Sequence, residues 1–270
     1  MTTITERTTI TLLIIPLIFL AINFDYQFGI IFGIITLSNS ILYTLDSRVT
    51  FNIEKPGNKK LTTVLWALGG FFAFTILSQP IVNFLAPYFG YKPVEGINSV
   101  IELFSQYIPY FSQITPILGN NLLLTVLGFG MLVPIVESIF FNVRVYEAFT
   151  DLFTVNTSTF NPKHILVAFG LIPGLATAFH FSVRGIDVAA TPGLLLTFIF
   201  FGIGQWLVIM RKQGLEAVVM HTVANLTAIT LKVGFIALQP WLIPILYFAG
   251  FLFILKTKPV QKILQSRLGG

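Results

Sequence analysis

A glutamate, two histidines and an asparagine stand inside apolar stretches of this chain: Glu137 in PIVESIFFNVR, His180 in LATAFHFSV, and His221 with Asn225 in VVMHTVANL. An ionisable group at the centre of a membrane helix costs about 2.5–3.5 kcal/mol on insertion scales, so it turns towards protein or trapped water and by default marks a functional site. A carboxylate, two imidazoles and an amide are the groups that hold a water molecule, take up its proton and donate hydrogen bonds to developing negative charge. The chemistry they point to is hydrolysis inside a membrane. Glu137 has Ile135, Val136, Ile139, Phe140 and Phe141 around it, with Ser138 the one polar neighbour. A carboxylate so placed needs a partner from another helix, and the histidines are nearly the only candidates. His221 and Asn225 are four residues apart and share a helix face. Each group also has a plainer reading: polar side chains tie membrane helices together at about 0.6 kcal/mol apiece. Two histidines and a carboxylate with a water in the fourth position also describe a catalytic zinc site, so Glu137, His180 and His221 are candidate zinc ligands as well.

The elements that must position these groups follow from composition. The chain has 270 residues, 55% hydrophobic and 10% charged, with a mean hydropathy of +0.85. Soluble domains carry about 25% charged residues, so the expected fold is all-α, a polytopic membrane helix bundle. A helix needs about 20 mainly apolar residues to cross the hydrocarbon core. Eight transmembrane helices are predicted, over 8–24, 28–45, 61–85, 122–148, 164–184, 189–210, 215–235 and 239–256. The first is read as a retained helix, because no small-x-small cleavage site follows it. With no repeat and no linker, 1–270 reads as a single membrane-embedded domain. Cysteine is absent, which excludes disulfides, thiolate nucleophiles and cysteine-ligated metals.

Thirteen of the sixteen Lys and Arg residues fall on one side of this eight-helix scheme, in the 46–60 and 211–214 loops, the tail, and at Arg7, Arg144 and Lys163. That bias places both termini in the cytoplasm, with Lys92, Arg184 and Lys232 opposite. The positive-inside rule also accounts for the net charge of +5, so the basic residues give no reason to expect nucleic acid as a partner. The least apolar stretch, 86–121, predicts an interfacial helix or lid around 98–111. Arg144 and Glu147 read as boundary anchors, and His164, Arg184, Asp187 and Lys232 as helix-end residues without a special role. His221 and His180 differ in depth by about 10 Å at 1.5 Å per residue. A helix break at Pro173–Gly174, lowering His180, would bring them level.

PIVESIFFNV resembles the first motif of the CAAX-protease and bacteriocin-processing (abortive-infection) family of intramembrane proteases, a Glu-Glu pair followed one turn later by Arg. His180 matches that family's second motif and His221 with Asn225 its third, His-x-x-x-Asn/Asp, so the resemblance covers about 122–235. Ser138 stands in place of the second glutamate and Asn142 in place of the arginine. The pair reads as a neutral, supporting substitute for an intrahelical ion pair. The resemblance implies an integral membrane endopeptidase acting on a membrane-associated or lipidated peptide or protein within lipid. In it Glu137 and His180 hold and deprotonate the attacking water, while His221 and Asn225 donate hydrogen bonds to the oxyanion. The family has been described both as zinc and as glutamate-dependent proteases. The two departures motivate the alternative of a non-catalytic membrane scaffold or chaperone. A proton-coupled carrier would use the same ionisable groups, but lacks support from repeated halves with broken helices.

Overall fold

The computed structural model describes residues 59–90, 92–105, 121–184, 191–212, 214–233 and 239–259, with a few further positions between 11 and 37. Among the described residues every regular element is helical. Helix α1 is Lys59–Leu85, α2 Gly96–Ser105 and α3 Leu122–Leu152. Helix α4 runs through Pro162–Ile165, Leu166–Leu171 and Ile172–Arg184. Thr191–Arg211, Leu215–Val233 and Leu242–Lys256 form α5, α6 and α7.

Among the described residues four stretches are long and apolar enough to cross a membrane: Lys60–Tyr88, Leu122–Leu152, Pro162–His180 and Pro192–Arg211. These correspond to four of the eight predicted spans. The predicted spans at 215–235 and 239–256 are helical but fall short, α7 because it has only 15 residues. Helix α6 has 19 residues, made less apolar by His221, Asn225 and its threonines. All but a few positions of 8–24 and 28–45 lie outside the described residues, as do both chain ends, whose cytoplasmic placement belongs to the sequence reading.

Polarity is sorted inside out. Leu65, Ile76, Phe84, Leu123, Leu166 and Phe253 are each more than half exposed. Such an apolar exterior is what lipid covers. By contrast Glu137, Asn142, Arg144, His180, Gln205, Glu216, His221 and Asn225 are all buried. Helix α6 is the extreme case: every residue from Glu216 to Thr230 is buried, behind α1, α2, α3, α5 and α7. The helix that carries His221 and Asn225 is thus shielded by its neighbours, which spares its polar groups the cost of bare exposure to hydrocarbon. One contiguous apolar core draws on all seven helices.

Helices α3 and α4 are not uniform. Residues Val126–Leu132, Ser138–Val145 and Leu166–Leu171 are wound as π-helix. Proline explains two of these. A proline ring clashes with the carbonyl four residues back and donates no N–H. Pro134 and Pro173 follow the π segments within two residues, and the carbonyls they would strike, Gly130 and Phe169, lie inside the widened turns. This corrects the expectation at Pro173–Gly174: α4 is not broken there, since a π turn upstream absorbs the proline and the helix runs on to Arg184. The third segment contains no proline, and nothing in its sequence accounts for it.

A helix forms over Gly96–Ser105, within the stretch where an interfacial helix or lid is predicted around 98–111, and packs on α1 and α6; 106–120 lie outside the described residues. Asn83 of α1 fastens the approach to it. Its Nδ2 donates to Val94 O at 2.9 Å, and Val94 N–H donates back to its Oδ1 at 2.6 Å.

Candidate active site

Glu137 lies at the join between the α-helical Val133–Glu137 turn of α3 and the π segment that follows. Its two carboxylate oxygens face two different histidines. Oε1 is 3.6 Å from His180 Nε2 on α4, and Oε2 is 3.7 Å from His221 Nε2 on α6. The three residues are 3%, 5% and 4% exposed, so bulk solvent does not reach them. The 10 Å depth offset expected for the histidines is not seen where it matters, since both rings reach one carboxylate. At these separations neither pair is a direct hydrogen bond, and a water serving both atoms of a pair lies to one side of the line between them.

Each imidazole is anchored on its far side. His180 Nδ1–H donates to the Ala176 carbonyl one turn back at 2.7 Å. His221 Nδ1 is hydrogen-bonded to Ser138 Oγ at 3.0 Å. Ser138 therefore touches a proposed catalytic ring directly. Helix α5 supplies the back wall. Phe201 packs at 5.7 Å from the His180 ring and 5.5 Å from the His221 ring, and Phe200 at 4.9 Å from His221. Phe141 and Phe179 close the His180 side. The aromatic wall excludes water except where polar groups hold it, which strengthens every electrostatic interaction within.

Asn225 and Asn142 are held by contacts of their own. Asn225 Nδ2 donates to Phe129 O across the α3–α6 interface at 2.8 Å. The reason lies in α3. Val133 N–H bonds to Gly128 O, five residues back. In that register the N–H serving Phe129 O would come from residue 134, which is proline. Pro134 withholds the donor and Asn225 supplies one. Asn142 packs against α5, where a Cβ on Gly204 would come within 2.6 Å of its Nδ2. Its Oδ1 is buried with no hydrogen-bond partner among the described residues. The expected mutual support of Ser138 and Asn142 is thus not what the geometry gives: Ser138 bonds across to α6, and Asn142 nests on α5.

Zinc was a candidate on chemistry. Ligands of a tetrahedral zinc stand about 3.3 Å apart, given bonds of about 2.0–2.1 Å. Here each histidine addresses its own carboxylate oxygen at a wider spacing. Among the described residues no group of three or more His, Cys, Asp or Glu is close enough to hold a metal ion. The donor types suit zinc, and the separations of 3.6 and 3.7 Å run to different oxygens of the carboxylate, a few tenths of an ångström wider than that spacing; no step below is routed through a metal.

Several buried polar residues escaped the sequence reading. His164, taken as a helix-end residue, is 1% exposed; its Nε2 is 2.7 Å from Tyr146 OH and its Nδ1 2.9 Å from Thr159 O. Arg144, read as a boundary anchor, is buried and lies 3.8 Å from Glu147. Glu216 is fully buried, receives Arg211 Nε–H at 3.3 Å and is within 3.4 Å of Thr63 Oγ1, and Arg211 lies over Trp66 at 5.5 Å. The one available signal was their charge within or beside apolar runs. Comparison of the chain with protein-family models, curated proteins and solved structures gave no match.

Proposed function

We propose that the chain is an intramembrane endopeptidase of the kind its three motifs resemble, with Glu137 as general base. The observation that carries this reading is one buried carboxylate addressed by two anchored imidazoles from two other helices, against an aromatic wall. A water held between Glu137 and His180 attacks the carbonyl carbon of the scissile peptide, and its proton passes to the carboxylate. His221 and the second N–H of Asn225 donate to the resulting oxyanion, a contribution worth about 3–4 kcal/mol per donor in a dry site. Collapse of the tetrahedral intermediate breaks the C–N bond, and the proton held by Glu137 goes to the leaving amine. The substrate is a membrane-associated or lipidated peptide or protein that arrives through lipid, and the chain is a multi-pass protein with both termini in the cytoplasm.

The scaffold alternative keeps one specific observation in its favour, since Asn225 already spends one amide hydrogen on Phe129. Full-length protein in liposomes, incubated with a quenched-fluorescent farnesylated peptide and a single-span peptide, separates the two. Cleavage that disappears in Glu137→Ala supports the peptidase. Cleavage unchanged in that variant, or no cleavage together with full rescue of a deletion phenotype by Glu137→Ala, refutes it.

A further inference from the structure

The two imidazoles at Glu137 are held by different kinds of partner. A backbone carbonyl only accepts, so the bond to Ala176 O at 2.7 Å puts a hydrogen on His180 Nδ1. In a neutral ring His180 Nε2 then presents a lone pair towards Glu137 Oε1, 3.6 Å away. Two acceptors face each other at a distance too short for a water in line between them, and a water lying beside the pair is the donor that can serve both, through bent hydrogen bonds.

His221 is in the reverse position. Its Nδ1 meets the Ser138 hydroxyl, which either donates or accepts. Were the ring hydrogen on Nδ1, Nε2 would turn a second lone pair towards the same carboxylate, 3.7 Å away on the Oε2 side. Inside an aromatic, water-poor site that repulsion is poorly screened. With the hydrogen on Nε2 the N–H points at the carboxylate, and Nδ1 accepts from Ser138 O–H. Both contacts then attract.

We propose that His180 and His221 are locked in opposite tautomers about the Glu137 carboxylate, with the Ser138 hydroxyl as the positioning group that fixes the His221 form. The site is thereby polarised: the His180 side accepts hydrogens from water, and the His221 side donates one. The bearing of this on catalysis rests on the peptidase reading, because only a donor Nε2–H serves an oxyanion; the tautomers themselves do not rest on it. Ser138 is buried at 1% exposure, so water does not readily replace its hydroxyl.

The chain has three histidines, so 15N-histidine labelling of the full-length protein in bilayers gives a spectrum simple enough to assign by His→Gln variants. His164, whose Nδ1 faces the Thr159 carbonyl at 2.9 Å, serves as an internal reference for an Nδ1–H ring. The expected result is Nδ1–H with bare Nε2 for His180, and bare Nδ1 with Nε2–H for His221. Ser138→Ala shifts the His221 signals to a mixture of tautomers, Ser138→Thr restores them, and His180 is unaffected by either. On the farnesylated peptide, Ser138→Ala lowers kcat about tenfold or more with little change in KM, and Ser138→Thr recovers most of it. Equal tautomers in the wild type, two doubly protonated rings, bare Nε2 on both as a shared zinc would require, or His221 signals unmoved by Ser138→Ala each overturn the proposal. The wild-type and Ser138→Thr spectra decide the matter even if Ser138→Ala does not fold. Tautomers as expected with unchanged turnover in Ser138→Ala support the proposal and count instead against His221 as oxyanion donor.

Discussion

Removing the Asn225 amide should destabilise the protein more while residue 134 is a proline than after that proline is replaced. Phe129 O sits in a π turn whose register assigns it the N–H of residue 134, and Pro134 has none. Asn225 Nδ2 fills the vacancy from α6 at 2.8 Å. Interhelical hydrogen bonds in membranes average about 0.6 kcal/mol and reach about 1.7, while stripping a buried carbonyl of its donor costs about 1–3 kcal/mol. Asn225→Ala should therefore cost about 1–2 kcal/mol. In a Pro134→Ala background the chain supplies its own N–H, from residue 134 in the π register or residue 133 in the α register. There the same substitution should cost about 1 kcal/mol less. The small void left by the amide is common to both backgrounds and cancels in the double-mutant cycle. Reversible unfolding in bilayers, by steric trapping or detergent titration, measures all four corners. Equal costs in the two backgrounds, within about 0.5 kcal/mol, would refute the idea that proline created the need for this contact.

The same four proteins separate two roles of one side chain. An oxyanion donor is worth about 10²–10³ in kcat, and that loss is not repaired by restoring stability. The Pro134→Ala/Asn225→Ala protein should be stable yet slow. Recovery of both together would leave Asn225 as a tie between α3 and α6 and nothing more.

Two further substitutions test the buried polar groups that the site does not use. Tyr146→Phe removes the partner of His164 Nε2 at 2.7 Å and should lower unfolding free energy by about 1–2 kcal/mol, read in the same unfolding assay; an unchanged value would mean that the contact does not hold the α3–α4 connection. Gln205 is fully buried, with neither amide atom partnered among the described residues, so Gln205→Leu should raise stability by about 1–2 kcal/mol, and a loss of stability would show that water or a ligand occupies that place.

How much of this was legible beforehand depended on whether the signal was chemical or geometric. Glu137, His180 and His221 stood out because charge in an apolar run is costly wherever the run ends up, and the structure brings them to one point. Hydropathy likewise pointed to the helical class, and of the eight spans it predicted four are membrane-length helices among the described residues. Register was the harder quantity. A proline inside a helix can be relieved by a break or by a widened turn, and the sequence around Pro173 does not distinguish them. The π turn before Pro134 then decides which carbonyl Asn225 must serve, so a residue chosen by its spacing from His221 acquires a partner 96 positions away. His164 and Arg144 were misjudged for a related reason. A place at a helix end or near a boundary says nothing of burial, and the long α3 and the start of α4 bury both.

The two departures from the protease motif are best understood separately. A Glu–Arg pair at 138 and 142 would satisfy itself within α3, and replacing both at once suggests a neutral pair doing the same. The side chains diverge instead. Ser138 meets α6 at His221 Nδ1, where a short neutral hydroxyl donates a hydrogen and an ionised carboxylate only accepts one. Asn142 occupies space on α5 that exists because residue 204 is glycine: a methyl there would stand 2.6 Å from its Nδ2. The neutral residue at 138 is thus tied to the tautomer of a histidine on one neighbour, and the one at 142 to a missing side chain on another. An isolated Ser138→Glu change should accordingly disturb His221 rather than restore a motif, because the residue one turn on is Asn142, which carries no charge to balance it.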